Sequence, residues 1–517
     1  MGADKFALQP PSRTNEKNLK TTLDHQDSLL AAIDLGSNSF HLLIARASHG
    51  EISPVETLGE KVQLAAGFTN GKISKEAMAR GLDCLRQFRQ VIDSVQPDQL
   101  RVVGTNTLRA AKNTDQFTDK ASAILDQPVE IIPGREEARL VYLGVAHTLA
   151  DDSNSRLVVD IGGGSTEFII GERFEAALLE SLHIGCVSFR ERFFSSNKIS
   201  VSHFEKAYQK AFLELLPIRD AFRKRGWSEA VGSSGTLNAI SRVLMTENNS
   251  PVITRDDLQA LKLKTLDIGS VDGLKEIVGL KPHRRSTFAP GLAISCALFD
   301  ALNIDQMQVS SGALREGVVY DLLGRMTHED VRKRTVTAMM ARYDVDRAKA
   351  SRIEQSAGTL FKQVKQRWGL KSRDLELLCW AAQLHEIGLS IAHNQFHKHG
   401  QYLIDHADLP GFSLAEQQAL ALLVRCHRRK FSTELFLHLD SSGAQHQQRL
   451  CILLRLAMLF KYVAAVSEAP VMTITAQTNG ADLSFHSDWL AQHPLTRAEL
   501  EVEQNYLQAA SFKLSFT

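Results

Sequence analysis

The chain is poor in cysteine and aromatic residues and carries almost no net charge. Six cysteines are spread over 517 residues, and no two form a Cys-x-x-Cys pair. That excludes a zinc ribbon and a small disulfide scaffold, and it reads as reduced core thiols of a cytoplasmic protein. Phe, Trp and Tyr together make up only 7% of the chain. Lys+Arg total 60 against 59 for Asp+Glu, a formal net charge of +1. A protein that coats nucleic acid is far more basic, so composition alone argues against a polyanionic partner. Long hydrophobic runs are missing too. The most apolar late stretch, Cys451 to Val466, is broken by Arg455 and Lys461 and reads as an amphipathic core helix, not a membrane span. Residues 1–28 are polar, contain Pro10-Pro11 and lack the apolar core of a signal peptide, so they read as a flexible tail. Phe6 stands where a myristoylation signal needs Ser or Thr.

What is present is 44% hydrophobic and 23% charged residues, enough for several ordinary cores. The informative feature is an internal repeat. Ala32-Ile33-Asp34-Leu35-Gly36-Ser37-Asn38-Ser39 resembles Val158-Val159-Asp160-Ile161-Gly162-Gly163-Gly164-Ser165, with the aspartates 126 residues apart. Each copy reads as an apolar strand, an Asp, a small-residue turn and a second apolar strand. Two copies in one register predict a duplicated α/β unit with a cleft between the halves. Ser74 to Val95 has helical spacing, with Met78, Leu82, Leu85, Phe88 and Ile92 on one face. Further small-residue turns follow at Gly232 to Thr236 and Ser310 to Ala313. From Val331 long helical patterns dominate, and β-character returns at Met472 to Thr475 and Phe512 to Phe516.

Glycine and serine turns after strands expose backbone N–H groups in a concavity that suits phosphate oxygens. A carboxylate beside such a nest repels bare phosphate, so Asp34 and Asp160 make sense there with a bridging cation, most simply Mg²⁺. Glu167 follows Asp160 by seven residues, and a strand–turn–strand hairpin returns it to the cleft as a second ligand. Pro133-Gly134 leads into a helix whose first turn holds Glu136 and Glu137. One of these acids is expected to be a helix-dipole partner. The other is a candidate base for activating water, and the sequence does not choose between them.

Taken together and in order, Asp34 to His41, Gly104 to Arg109, Gly134 to Leu140, Asp160 to Glu167, Ser234-Gly235-Thr236 and Gly312 to Gly317 resemble the exopolyphosphatase / guanosine pentaphosphate phosphohydrolase family. The resemblance runs from about Leu29 to the C-terminus. It implies two actin-like, ribonuclease-H-like α/β domains with a cleft (29–140 and 141–328), an HD-like helical domain (329–445) and a small α+β domain (446–517). It also implies a hydrolase that removes the terminal phosphate of inorganic polyphosphate processively. Glu137 then matches the catalytic base. Asp160 and Glu167 match the metal acids, with Asp34 facing them, and Arg109 matches a phosphate-holding arginine. Gly36, Ser37, Asn38, Ser39, Gly162, Gly163, Gly164, Ser165, Ser234, Gly235 and Thr236 match the phosphate loops. The implied cofactor is Mg²⁺, with K⁺ as a stimulating ion. The implied setting is a cytoplasmic homodimer, peripherally associated with the inner membrane, with polyphosphate and not nucleic acid as partner.

The helical part resembles an HD-type fold at His385-Glu386-Ile387-Gly388. Glu386 replaces the metal-binding Asp, so the expectation is a helical scaffold without catalysis of its own. In the family this part helps to bind the chain substrate. His397, Lys398, His399, Arg428, Arg429 and Lys430, and also Arg332-Lys333-Arg334, could line such a path, although each cluster by itself reads as a solvated face. The alternative substrate is guanosine pentaphosphate, hydrolysed to the tetraphosphate. The triple glycine favours the first reading, and the segment Trp489 to Leu495 resembles the pentaphosphate hydrolases. A kinase on this fold needs an adenosine pocket, of which there is no mark. A non-catalytic polyphosphate or alarmone sensor is expected to lose Glu137, Asp160 and Glu167, all of which are present.

Overall fold

Two hairpins that end in the Asp-containing turns each start a sheet. In a computed structural model, which describes residues 28–48, 51–149, 154–326, 330–437, 439, 441–460, 472–486 and 488–517, β1 (Ser28–Leu35) pairs antiparallel with β2 (Phe40–Ser48). The expected tail and the end of the Cys451–Val466 stretch lie outside the described residues. β3 (Glu51–Glu60) extends the hairpin, and a small excursion carries β4 (Phe68–Thr69) and β5 (Lys72–Ile73). α1 (Lys75–Val95) buries the five residues of its predicted apolar face, and the Ser74 side chain caps it by accepting from the Ala77 N–H. β6 (Gln99–Gly104), α2 (Asn106–Ala110), α3 (Asp115–Leu125) and β7 (Val129–Ile131) complete the unit. The sheet order is β3-β2-β1-β6-β7, with β6 and β7 added in parallel.

After α4 (Gly134–Ala146) the pattern repeats. β8 (Ser155–Ile161), β9 (Thr166–Glu172) and β10 (Glu175–Leu182) form the antiparallel side. α5 (Cys186–Phe193) and α6 (Val201–Arg225) lead to β11 (Glu229–Ser233) and α7 (Ser234–Asn248). β12 (Ile253–Thr254), α8 (Arg255–Ile268), α9 (Arg285–Leu302) and β13 (Gln306–Val309) follow, and α10 (Leu314–Met326) ends the unit. The order β10-β9-β8-β11-β13-β12 repeats the first sheet with one added edge strand. β1 is apolar on both faces because both are covered: Ala31, Ile33 and Leu35 face one core, Leu30 and Ala32 another. This arrangement is consistent with the actin-like fold that the resemblance implies.

The structure corrects the expected division at 140/141, which cuts α4. Helix α4 packs against β9 and β10 of the second sheet, while α10 packs against β1 and β2 of the first. The two helices therefore cross over and meet between the sheets. They touch backbone to backbone: a Cβ on Gly317 would overlap the Leu140 carbonyl, and one on Gly144 would overlap that of Ala313.

The rest is a helical region with α11 (Val331–Arg342), α12 (Arg347–Trp368), α13 (Ser372–Leu384), α14 (Phe396–His406), α15 (Leu414–Cys426) and α16 (Ser441–Leu459). A small sheet of β14 (Met472–Gln477), β15 (Gly480–Phe485) and β16 (Lys513–Phe516) closes it. The expected boundary at 445/446 falls inside α16, and a single core runs from Val336 to Leu514. The small sheet is tied in by Trp368 Nε1, which donates to the Gln477 carbonyl at 2.9 Å. It is therefore a flap on the helical core and not a separate domain. Among the described residues no helix is long and apolar enough to cross a membrane.

The α4–α10 contact leaves no room for a methyl group. Gly317→Ala should lower the melting temperature by several degrees, about 2–3 kcal/mol of overpacking. Gly358→Ala, which meets only Leu375 Cδ1 at 4.0 Å, should be neutral or stabilising. A Gly317→Ala melt equal to wild type would mean that the helices are not in backbone contact.

Candidate active site

The two Asp turns face each other across the cleft. Asp34 lies near the end of β1, and Asp160 lies near the end of β8. The hairpin register places Asp160 opposite Glu167 and Asp34 opposite His41. The same seven-residue spacing thus returns a carboxylate to the cleft in one half and an imidazole in the other. The sequence reading assigns His41 no role; the repeated spacing was the signal that could have found it. A Cβ on Gly163 would lie 3.1 Å from Ser37 Cβ, and one on Gly164 would overlap Asn106 Oδ1. Glycine is needed there because the opposite loop is that close. Ser37 Oγ accepts from Thr107 Oγ1 at 2.8 Å, which ties the first loop to α2.

A cavity of about 320 Å³ lies between the loops. It is lined by Asp34, Gly36, Ser37, Asn38, Ser39, Glu137, Asp160, Gly162, Gly163, Gly164, Ser165, Glu167, Ser234, Gly235 and Thr236. Ser234 to Thr236 are the first turn of α7 and not a loop before it, and this turn lines the cavity while the Ser234 hydroxyl accepts from the Thr236 and Leu237 N–H groups at 3.2 and 3.4 Å. Of the expected site residues in the α/β units, Arg109 alone does not line it. Arg109 Nη1 sits behind Glu137, 3.2 Å from its Oε2 and 2.7 Å from the Ile132 carbonyl.

The structure separates the two adjacent glutamates. Glu136 pairs bidentately with Arg139 at 2.7 and 2.8 Å and accepts from the Gly411 N–H at 2.9 Å. Glu137, one residue on, turns into the cavity. Three further acids share that space. Burial, and then repulsion from Glu137 and Asp160, pushes Asp34 well above the usual carboxylate range. Burial also pushes Asp160 up to about 7, with Glu137 adding to the shift. Glu167 is raised by burial and by Glu137 and Asp160, although Ser181 Oγ donates to its Oε1 at 2.9 Å. Glu137 is raised by burial against the pull of Arg109.

Two arginines that the sequence reading gave no role complete the lining: Arg284 and Arg315. Arg284 lies against Gly235, where a Cβ would overlap its guanidinium. A cation beside a helix N-terminus is unfavourable unless an anion joins them. Ser234 adopts φ +99°, a strained value for a serine. The α7 end and Arg284 lie side by side in the cavity wall, next to Asp160, which pairs in register with Ser233.

Among the described residues no group of three or more His, Cys, Asp or Glu side chains stands ready-made around a metal ion. The donor set nevertheless suits a hard divalent cation: it is all oxygen, and Asp34 Oδ1 is buried without a partner. The residues of the expected substrate path lie elsewhere. His397, Lys398, Arg428 and Arg429 line a cavity of about 400 Å³ in the helical region. His399 and Lys430 do not line it. Arg332 is not available for a path: it is buried and pairs with Asp330, Glu376 and Glu416. Arg334 pairs with Glu175.

The sequence profile of the Ppx/GppA phosphatase family matches residues 43–326, and that of the Ppx/GppA phosphatase domain III matches residues 331–504. The chain belongs to the Ppx/GppA phosphatase family. Among solved structures it is similar to an exopolyphosphatase from Cytophaga hutchinsonii, with 25% identity and a TM-score of 0.53 over 57% of this chain and 97% of that one. An exopolyphosphatase-like protein matches at 25% identity and a TM-score of 0.53, covering 57% of this chain and 98% of the other. The Aquifex aeolicus Ppx/GppA family member shares the fold at 24% identity, with a TM-score of 0.50 over 58% and 98% of the two chains. The double-loop cleft of this Ppx/GppA protein therefore belongs to a family of phosphatases.

The raised acids give the metal-free protein a defined pH dependence. Asp160 stays protonated in the folded state from the ordinary carboxylate value of 3.8 up to about 7. The folded state then binds more protons than the unfolded one, so stability falls as pH rises through that window. Asp160→Asn, in chelated protein, should melt higher than wild type at pH 8, by on the order of 4 kcal/mol at about 1.4 kcal/mol for each pH unit of that window, and equally at pH 4. Mg²⁺ should close the gap at pH 8. Parallel pH profiles for the two proteins would show that the carboxylate is already compensated.

Proposed function

We propose that the protein hydrolyses the terminal phosphoanhydride bond of inorganic polyphosphate and releases orthophosphate processively. The observation that carries this reading is Glu137. It is a buried carboxylate with a raised affinity for protons, held by Arg109 at the edge of a cavity whose other walls are phosphate-type loops. In this reading Glu137 orients the attacking water and takes its proton, a task helped by a pKa nearer to neutrality. The Gly36–Ser39 and Gly162–Ser165 turns, the α7 N-terminus and Arg284 position and neutralise the phosphoryl oxygens. Asp34, Asp160 and Glu167 would hold Mg²⁺, which when bound supplies further charge neutralisation on the transferred phosphoryl group. No covalent nucleophile is needed. Cys186 is a thiol that lines the cavity, and burial raises its pKa, which keeps it protonated.

Polyphosphate is favoured over guanosine pentaphosphate because the cavity has no Phe, Tyr or Trp in its described lining on which a base could stack. Two similar structures, at 25% identity, are described as an exopolyphosphatase and an exopolyphosphatase-like protein.

Glu137→Gln should lower kcat for phosphate release by about 10²–10⁴-fold and leave polyphosphate binding largely intact. Unchanged turnover would remove Glu137 as the base. Wild-type kcat/KM measured side by side with Mg²⁺ should be higher on long-chain polyphosphate than on guanosine pentaphosphate, and the reverse order would transfer the assignment to the nucleotide. Neutralising Arg428, Arg429 and Lys430 together should raise KM for long chains more than for short ones. Equal effects on both would take this cluster off the substrate path.

A further inference from the structure

A second, smaller cavity of about 120 Å³ adjoins the active-site cavity, and Gly235, Asn238 and Arg284 line both. Arg242, Lys281 and His283 add to its walls, and no Asp or Glu does. Gly235, Asn238 and Arg242 are spaced as one stripe along α7. Lys281, His283 and Arg284 come from the turn that leads into α9. Lys61, which follows β3 in the first unit, reaches across to this turn, and its Nζ donates to the His283 carbonyl at 3.2 Å.

The charges around this small cavity have one sign. After burial, the groups that hold the His283 imidazole below its usual range are Arg284, Lys281, Lys61 and Arg242, all of them cations. Burial, then Arg190 and Arg284, also lowers Lys61. Burial lowers Arg284, and Arg242 adds to the shift. Among the described residues Lys61, Arg242, Lys281 and Arg284 form no ion pair. The chain has 59 acids for its 60 Lys and Arg residues, yet these four, drawn from three segments, are left with none. Like charges gathered in this way repel, and an anion that bridges them relieves the repulsion. Guanidinium and ammonium groups together suit phosphate oxygens.

We propose that this annex is the subsite for the inner phosphates of an inorganic polyphosphate chain, those next to the phosphate that is cleaved. The inference rests on the polyphosphate reading above. The terminal phosphate occupies the main cavity, and the chain leaves it past Gly235 and Arg284, along the α7 stripe, toward Arg242 and Lys281. Charge sets this exit. Inner phosphates are anionic, so the buried acids of the main cavity repel them, whereas the annex walls carry cations alone. Size sets what fits. Pockets for organic ligands span roughly 300–1,000 Å³, so the annex admits phosphate groups and not a nucleoside. The cavity at Arg428 and Arg429 shares no lining residue with the active-site cavity. It can therefore meet only a more distant stretch of a long chain.

The test uses the full chain with Mg²⁺ and the double variant Arg242→Gln/Lys281→Gln. The control is Lys206→Gln/Lys224→Gln, which removes two exposed charges from α6 of the same unit. Because the annex is next to the cleaved bond, KM should rise by the same factor on tripolyphosphate and on long chains, about tenfold or more. The turnover number should stay nearly unchanged, and the control should match wild type. Unchanged KM on both substrates overturns the proposal, and so does a rise on long chains alone. A rise on guanosine pentaphosphate without one on tripolyphosphate gives the cations to the nucleotide and overturns it too. Calorimetric binding to Glu137→Gln protein separates the annex from the reading it rests on. Adding the two annex substitutions should weaken tripolyphosphate binding and leave orthophosphate binding as it was. That result upholds the annex even if the wild type hydrolyses no polyphosphate. Equal losses for both anions, or no loss for either, overturn it even if the wild type does.

Discussion

The crossing of α4 and α10 is the constraint on which the remaining structure depends. Each helix leaves its own unit and packs on the sheet of the other, so the two α/β units are braced and the cleft between their Asp turns has a fixed floor. Gly144, Gly312 and Gly317 make the crossing possible by letting backbones touch. Behind it lies a balanced buried network. Asp321 of α10 pairs with Arg101 at 2.8 Å and with Arg325 at 2.9 Å, and it also pairs with Arg139 of α4, which holds Glu136. Burial opposes the charge on Asp321, yet Arg139, Arg325 and Arg101 hold its carboxyl far below the usual range. Removing one partner from such a network strands a buried charge, which costs far more than the pair itself contributes.

The contrast between Glu136 and Glu137 shows how one helix serves two purposes. Glu136 is compensated and holds the helix in place. Glu137 shares Arg109 with nothing else acidic, but it faces Asp34, Asp160 and Glu167, whose combined charge the cavity arginines do not match. The protein thus sets a pocket crowded with buried acids beside a network in which each acid has its arginine. The net charge of +1 conceals this, because a sum over the chain averages an acidic cavity with basic clusters elsewhere.

The helical region is not an independent appendage. Arg325 donates to the Gly411 carbonyl at 2.9 Å, and the Gly411 N–H donates to Glu136 at 2.9 Å, so the turn before α15 bonds to both crossing helices. Basic residues around Arg428 and Arg429 line cavities of their own, and none of them lines the Asp34–Asp160 cavity. Arg332, in sequence an equally plausible member of such a surface, is absorbed by three carboxylates and stacks 4.7 Å above the Trp380 ring.

The local pattern of the sequence determined the strands, the long helices, the duplicated Asp turns and the residues around them. These are short-range consequences of apolar periodicity and small-residue turns, and the seven-residue spacing even implied that Glu167 returns to Asp160. Tertiary structure alone decided the rest. It turned Glu137 to the cavity and Glu136 away from it, because only packing against Arg139 and Gly411 separates two adjacent acids on one helix; the family resemblance, not the local pattern, had already singled out Glu137. It placed Arg284 at the α7 N-terminus and Arg109 behind Glu137, and it brought His385, His397 and His427 together from three helix ends. It also exchanged α4 and α10 between the sheets, with 140/141 inside α4, and it carried α16 through 445/446. The physical reason is common to all of these: burial and charge pairing between segments far apart in the chain have no local pattern to announce them.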